Sequence, residues 1–403
     1  MSSDLSFMER AIELGRLSLP VAGVNPAVGA VLVAGGRVLG EGYHRGPGTP
    51  HAEAAALAEA FKAIPRSSTL PPGATLYCTL EPCCHSGAGK RTPPCTEAII
   101  ASGIERVVFA CRDPNPRVSG RGAERLREAG LAVEEGLMAQ DAAGLLESFA
   151  VSIREHRPFI RLKWAQSLDG RIACNGGASR WITNEAARLA ARGLRARHDA
   201  VMIGANTLRT DDPQLTVRSA ARGGEAGERA QPRRIILAGG RPLDMSARLF
   251  SPPLREGTTV LAAAASAALE QCRAAGVRVL ETGTGAAGMQ DLGECFRLLY
   301  EDGVGSVMVE GGSGLLTSLL RQGLWDAATV FVAPKILGEG RSAVGDLGIL
   351  SPDRGIALEG FRVESGAGFV RIDAVRGTEC GTECDAVREG ADRAEGGASC
   401  SPA

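Results

Sequence analysis

Four residues in the first hundred have the types and spacing for metal chemistry: His51, Glu53, Cys83 and Cys95. A neutral imidazole and two thiolates form a borderline-soft set that suits zinc, and three protein ligands leave the fourth position to water, the pattern of a catalytic site. Glu53, two residues after His51, is then a proton carrier rather than a ligand. A structural zinc would close with a fourth Cys or His, and Cys84 and His85 are at hand. Neighbours of Cys83 seldom converge with it on one ion, however, and Glu53 would then have no task. Cys84 therefore reads as a packed or loop thiol and His85 as a loop residue near the site.

The order His-x-Glu followed by Pro82-Cys83 is that of the zinc-dependent base deaminases, in which the glutamate is the acid/base. That signature closes with Cys-x-x-Cys, whereas eleven residues separate Cys83 from Cys95 here. The elements that must hold these groups can be read from pattern. Residues 4–18 have helical apolar spacing closed by Pro20. Ala27–Val33 and Arg37–Tyr43 flank Ala34-Gly35-Gly36 as a hairpin. The run HAEAAALAEAFKA from His51 is strongly helical, which puts His51 and Glu53 in one first turn. Pro71-Pro72-Gly73 breaks the chain before a strand Ala74–Thr79, with Pro82-Cys83 at its carboxyl end, where ligands gather in α/β sheets. Cys95 opens a further helix, whose dipole is expected to lower the thiol pKa. Asn25, before Pro26, is either an amide that reads a ring or ribose edge or a turn residue. His44 reads as a satisfied strand-end histidine.

The chain of 403 residues is too long for one ordinary core, and two domains are expected. A formal net charge of −1 with 4% aromatic residues gives no electrostatic footprint for nucleic acid or an acidic membrane. A nucleoside or transfer-RNA base deaminase with an unrelated second domain would share the zinc motif but needs a basic stacking surface that this balance does not suggest. No apolar run reaches the roughly 20 residues that span a bilayer, and the N-terminus lacks a signal-peptide core, so a cytoplasmic location is expected. The eleven cysteines are spread irregularly and read as reduced thiols, with Cys78, Cys111 and Cys174 as small buried side chains.

Beyond a connection at 145–158 the pattern of strands and helices resumes. Strands are expected at Phe159–Trp164, Ala200–Ile203, Arg234–Leu237, Thr258–Ala262, Val277–Leu280, Ser306–Val309 and Ala327–Val332, alternating with helices that include one capped by Asn184. No Gly-x-Gly-x-x-Gly follows the first strand, so a Rossmann site has no support. Gly311-Gly312-Ser313-Gly314 before a helix is the better phosphate cradle. Arg218–Gln231 reads as a surface loop.

With Asn25-Pro26, HAE at 51–53, TLEPC at 79–83, RTPPC at 91–95 and DPNP at 113–116, followed by KWAQSLDGRIA from Lys163, SRWIT from Ser179, TDDPQLTVR from Thr210, VEGG from Val309 and APKILG from Ala333, the chain resembles the bifunctional deaminase/reductases of riboflavin biosynthesis. That family spaces its zinc cysteines farther apart than Cys-x-x-Cys, although residues 87–90 still lengthen the loop. The resemblance implies an α/β protein with a cytidine-deaminase-like domain at 1–150 and a dihydrofolate-reductase-like domain at 157–376, while the composition of residues 377–403 reads as a disordered tail. It implies one zinc per chain at His51, Cys83 and Cys95, with Glu53 catalytic, and NADPH as second cofactor. NADPH would be bound by Ala165, Trp181, Thr207, Gly312, Ser313 and Gly314. The phosphorylated pyrimidine would be held by Asn25 in the first domain and by Ser179, Arg195, Asp211, Arg218 and Glu310 in the second. Its partners would be small phosphorylated pyrimidines and further copies of the chain in a homo-oligomer, with no nucleic acid and no membrane.

Overall fold

The computed structural model describes residues 2–63, 69–85, 93–116, 118–217, 231–240, 242–284 and 290–377. Arg218, the lengthened loop at 87–90 and the expected tail from 378 onward lie outside the described residues. The first unit runs α1 (Ser2–Ser18), β1 (Gly29–Ala34), β2 (Arg37–Tyr43), α2 (Ala52–Ala63), β3 (Thr75–Leu80), α3 (Cys95–Ser102), β4 (Arg106–Cys111), α4 (Arg121–Glu128), β5 (Ala132–Glu135), α5 (Ala139–Ala143) and α6 (Glu147–Glu155). Its sheet has the order β2-β1-β3-β4-β5. The hairpin β1/β2 and the pair β1/β3 are antiparallel; β3, β4 and β5 are parallel.

Glycines set how closely the helices approach this sheet. Gly40 and Gly42 alternate along β2 and face α2; a Cβ at Gly42 would lie 2.2 Å from the Ala52 carbonyl oxygen, and one at Gly40 2.2 Å from that of Ala56. The alanines of α2 and the bare face of β2 therefore let helix backbone meet strand backbone. Gly29 does the same for α1, whose Ala11 carbonyl would be 2.0 Å from a Cβ there. Met8, Ile12, Leu32, Leu76, Phe109 and Leu126 fill the core between them.

The second unit runs β6 (Phe159–Ser167), β7 (Arg171–Cys174), α7 (Glu185–Arg195), β8 (Ala200–Gly204), α8 (Ala205–Asp211), β9 (Arg233–Gly239), β10 (Thr258–Ala263), α9 (Ala267–Ala274), β11 (Arg278–Thr282), α10 (Leu292–Glu301), β12 (Ser306–Val309), α11 (Ser313–Gln322), β13 (Ala327–Ala333), β14 (Gly340–Ser342), β15 (Leu358–Gly366) and β16 (Phe369–Arg376). Nine strands form one sheet in the order β11-β10-β9-β8-β12-β6-β13-β16-β15, parallel as far as β13 and antiparallel across the last hairpin. Asn184 caps α7 as expected, its side chain accepting from the Ala187 N–H.

The connection at 145–158 contains helix α6, with Leu145 and Leu146 just before it packed into the first core and Val151 on it packed with Phe159 and Ala327 of the second unit. Its apolar residues divide between two cores, which breaks the one-face period that signals a helix. Cys174 is exposed and Cys111 half-buried; only Cys78 of that trio is buried. The units also meet where a Cβ at Gly305 would lie 1.9 Å from the Gly23 carbonyl, with the Gly23 N–H donating to Asp199. Among the described residues, no helix is long and apolar enough to cross a membrane.

Candidate metal centre and reductase cleft

The residue just before α2, the chain just beyond the carboxyl end of β3 and the first residue of α3 converge; His51 precedes the helix, and only Glu53 of the expected pair lies in its first turn. His51 Nδ1 lies 3.6 Å from Cys83 Sγ and 3.2 Å from Cys95 Sγ, and all three donor atoms fall within 4.8 Å of one another. A tetrahedral zinc with bonds of about 2.3 Å to sulfur and about 2.05 Å to nitrogen requires an S···N separation of about 3.5 Å. The residues thus fit the ion in type and in spacing. Cys84 is half-buried and His85 exposed; neither joins the cluster of candidate ligands.

The electrostatics differ from the expectation for Cys95. Its thiol pKa is pushed up by the neighbouring Cys83, by burial and by Glu53. The Cys95 N–H at the α3 start donates to Cys83 Sγ at 3.4 Å. Glu53 is buried, and its carboxyl is raised by desolvation and by Cys83, against a lowering contact with Cys95. A cation at the centre would act in the opposite direction, toward the carboxylate.

Two residues outside the candidate ligands stand beside the cluster. His44 is the satisfied strand-end histidine that the sequence suggests, and it is buried with its ring edge-on to His51 at a centroid distance of 5.8 Å. Desolvation lowers its pKa, so it is neutral; Nδ1 faces the Pro50 carbonyl at 3.4 Å and Nε2 faces Asn25 Nδ2 at 3.2 Å. Those contacts assign the Nδ1–H tautomer, with Asn25 donating to Nε2. Asn25 is therefore brought to the site's edge. Glu81, immediately after β3, is 1% exposed, and its carboxylate accepts from four backbone N–H groups: Asp113 at 3.2 Å, Gly120 at 2.9 Å, Gly122 at 2.9 Å and Ala123 at 3.1 Å. It ties the Asp113–Asn115 loop and the start of α4 to the strand that carries Cys83. A glycine is needed at 122, where a Cβ would meet the Pro82 carbonyl at 2.1 Å. The sequence signal for Glu81 was its place between Leu80 and Pro82-Cys83, where it read only as part of a motif.

In the second unit a cleft of about 490 Å³ opens over the carboxyl ends of β6, β8 and β12. Ala165, Ser179, Trp181, Arg195, Thr207, Asp211 and Glu310 line it. Glu310, directly after β12, is clamped by Arg195 through both carboxylate oxygens, with Nη2 at 3.0 Å from Oε2, and Lys163 Nζ is 3.7 Å away. Burial works to raise this carboxyl, but Arg195 and Lys163 outweigh it and hold it at about 2. Lys163 was quoted within a motif but not selected; it shares a face of β6 with Ala165, and that period-2 spacing was the available signal. Arg188, Arg192 and Arg195 recur along α7 on the face turned to the cleft, and Arg188 lies 4.3 Å from the centre of the exposed Trp181 ring. Gly312 caps α11, which begins at Ser313, so Ser313 and Gly314 form its first turn and not a preceding loop. A Cβ at Gly312 would lie 3.6 Å from Thr207 Oγ1. Gly312, Ser313 and Gly314 are not in the lining of the cleft, but through Thr207 they put a helix start at its edge, a position that fits the phosphates of a dinucleotide.

Comparison with known proteins agrees with both halves. Residues 1–111 match the cytidine and deoxycytidylate deaminase zinc-binding region, and residues 158–367 match the RibD C-terminal domain. Riboflavin biosynthesis protein RibD of Aquifex aeolicus is 42% identical over 90% of this chain and 95% of its own, and the Escherichia coli protein of that name is 37% identical over 83% and 89%. Among solved structures, Acinetobacter baumannii RibD superposes with a TM-score of 0.78 at 34% identity, covering 94% of this chain and 99% of that one. The diaminohydroxyphosphoribosylaminopyrimidine deaminase/5-amino-6-(5-phosphoribosylamino)uracil reductase of Thermotoga maritima does so at 0.74 and 34%, covering 93% and 99%.

Proposed function

The chain belongs to the RibD family and is a bifunctional deaminase and reductase of riboflavin biosynthesis, and from that premise we propose which residues carry each reaction. The first domain, 1–150, deaminates 2,5-diamino-6-ribosylamino-4(3H)-pyrimidinone 5′-phosphate. The second, 157–376, reduces the ribosyl group of the product to give 5-amino-6-ribitylamino-uracil 5′-phosphate.

His51, Cys83 and Cys95 hold one zinc, which when bound supplies a water of near-neutral pKa as nucleophile at the amino-bearing ring carbon. Glu53, buried against Cys95, takes the proton from that water and returns it to the departing ammonia. Asn25, oriented by His44, presents its amide to the substrate at the rim. In the second domain Gly312, Ser313 and Gly314 at the α11 start would hold the phosphates of NADPH, and Ala165, Trp181 and Thr207 would line the rest of its site; when bound, NADPH would supply the hydride. Ser179, Asp211, Arg218 and the Arg195–Glu310 pair hold the phosphorylated sugar. Lys163, buried and with its pKa lowered by desolvation against the pull of Glu310, is placed to hydrogen-bond the sugar as it is reduced. Sites of this kind act on small phosphorylated pyrimidines, and a homo-oligomer in the cytoplasm is the assembly and place in which we expect the enzyme to act.

The convergence of His51, Cys83 and Cys95 with Glu53 beside them carries the deaminase assignment. Glu53→Gln keeps size and polarity but cannot carry a proton. Ammonia release should fall by at least about 10²-fold, with zinc retained and with NADPH oxidation on the already deaminated pyrimidinedione near the parental rate. Normal deamination in the variant would refute the assignment, and loss of zinc would make Glu53 a ligand or support.

A further inference from the structure

A second cavity, of about 390 Å³, lies between the two domains and shares no residue with the metal cluster or the reductase cleft. It is walled by the start of α6, the amino-terminal half of β6, the end of α7 and the β15/β16 hairpin. Its charged lining is Arg161, Arg197, Arg362 and Arg371 against Glu147 and Asp373, an excess of two positive charges. His198 adds none, since burial and the nearby Arg161 hold its pKa at about 3.

The pairing inside the cavity is uneven. Arg161 reaches Glu147 at 3.5 Å and Asp373 at 3.8 Å, and Arg371 reaches Asp373 at 2.8 Å. Both carboxylates are thus engaged by those two guanidiniums. Arg197 and Arg362 have no side-chain hydrogen bond or ion pair among the described residues. Around Arg197 the charges of Arg161, Arg371 and Arg16 oppose it, and Glu147 alone favours it. Guanidiniums without an anionic partner of their own, on a concave wall with a net positive charge, are relieved by an anion with several acceptor oxygens, which their planar forks grip two at a time. The cavity volume is in the range of small-ligand pockets.

We propose that this interdomain cavity binds a phosphate group, carried by a small phosphomonoester or as the free ion, through Arg197 and Arg362 with Arg161 and Arg371 behind them. The ligand would bridge the chain just after α7 and β15 of the second domain in front of the start of α6.

Modification of arginines by phenylglyoxal, followed residue by residue by peptide mass spectrometry on the full zinc-loaded chain, reads this site apart from either active centre. One arm contains ribose 5-phosphate, a second inorganic phosphate and a third sodium chloride at equal ionic strength. Either phosphate arm should slow modification of Arg197 and Arg362 several-fold relative to chloride, while Arg297, half-exposed on α10, keeps its rate. Stronger protection by the ester assigns the site to a phosphomonoester; equal or stronger protection by inorganic phosphate assigns it to the free ion. No protection beyond chloride overturns the proposal. Arg197→Gln, a change at an exposed side chain, should raise the phosphate concentration that protects Arg362 by about tenfold, the worth of one charge-assisted hydrogen bond. Unchanged protection of Arg362 in that variant would overturn a shared site.

Discussion

Replacing Gly42 by alanine tests whether the glycine face of β2 sets the position of the metal-binding helix. The added Cβ would lie 2.2 Å from the Ala52 carbonyl oxygen and 2.6 Å from the Ala56 nitrogen, both backbone atoms of α2. Carbon to carbonyl-oxygen contacts close at about 3.3 Å, so the helix has to withdraw by roughly 1 Å. Ala52 lies between His51 and Glu53, and the withdrawal moves both. Overpacking of this kind costs about 1–3 kcal/mol of stability, and a 1 Å misplacement of reacting groups costs about 10²-fold in rate. The assay follows ammonia release and NADPH oxidation separately, together with zinc content and chemical denaturation. The expected variant is folded, less stable, poorer in deamination by about two orders of magnitude and unchanged as a reductase on deaminated substrate, because the cleft of the second domain takes no residue from the first. Parental deamination and stability in Gly42→Ala would show that α2 slides freely on β2 and that the close approach does not position the site.

Glu81→Gln keeps one acceptor oxygen and turns an NH₂ group toward two of the four amides now bound, leaving two buried donors unsatisfied at about 1–3 kcal/mol each. Denaturation should show that loss while Glu97→Gln, at an exposed pair with Arg125, changes stability by less than about 0.5 kcal/mol; equal effects would remove the anchoring role. Glu310→Gln strands Arg195 and Lys163 in a largely buried setting and should cost about 3–5 kcal/mol, with reduction impaired and deamination intact. Because the Glu310 carboxyl is held at about 2 against an ordinary 4.5, its contribution to stability is complete above about pH 4.5 and is lost as the pH falls through 2. A pH titration of stability in which parent and Glu310→Gln differ by the same amount at pH 2 and pH 7 would refute that assignment.

Much of the fold was legible because it was local. Hairpin punctuation at Gly35-Gly36, the alanine-rich run after His51 and the Asn184 cap each announce an element within a few residues, and the boundaries in the structure fall close by. What escaped depends on contacts distant in sequence. The stretch around α6 sends Leu145 and Leu146, just before the helix, to the first core and Val151, on it, to the second, and β15 is exposed along nearly its whole length, so neither shows a single buried face. The short β7 and β14 pair only with each other across 166 or more positions of chain. The same holds for the sites. Ligand types and motif order singled out His51, Cys83, Cys95 and Glu53, but no pattern within the sequence places His44 against His51 or gives Glu81 its four amides. Arg195 had the look of a solvated helix arginine until Glu310 and Lys163 were brought to it from two strands.

The two centres solve one electrostatic problem in opposite ways. Each buries acidic groups away from water, where an uncompensated charge is costly. In the second domain the compensation is covalently part of the chain: Arg195 and Lys163 flank Glu310 and keep it ionised whether or not a ligand is present. Around His51, Cys83, Cys95 and Glu53 the lowering influences on Glu53 are His51, a backbone group and Cys95, with no lysine or arginine among them, and burial with the two thiols drives Cys95 toward its neutral form. The first site is therefore built to be completed by a cation, and its acid groups take up protons where that cation is missing, which is why metal affinity there has to be coupled to proton release. The reductase cleft carries its charges ready-made and has no such coupling, so one polypeptide holds a site that is assembled by its cofactor beside one that is assembled by its fold.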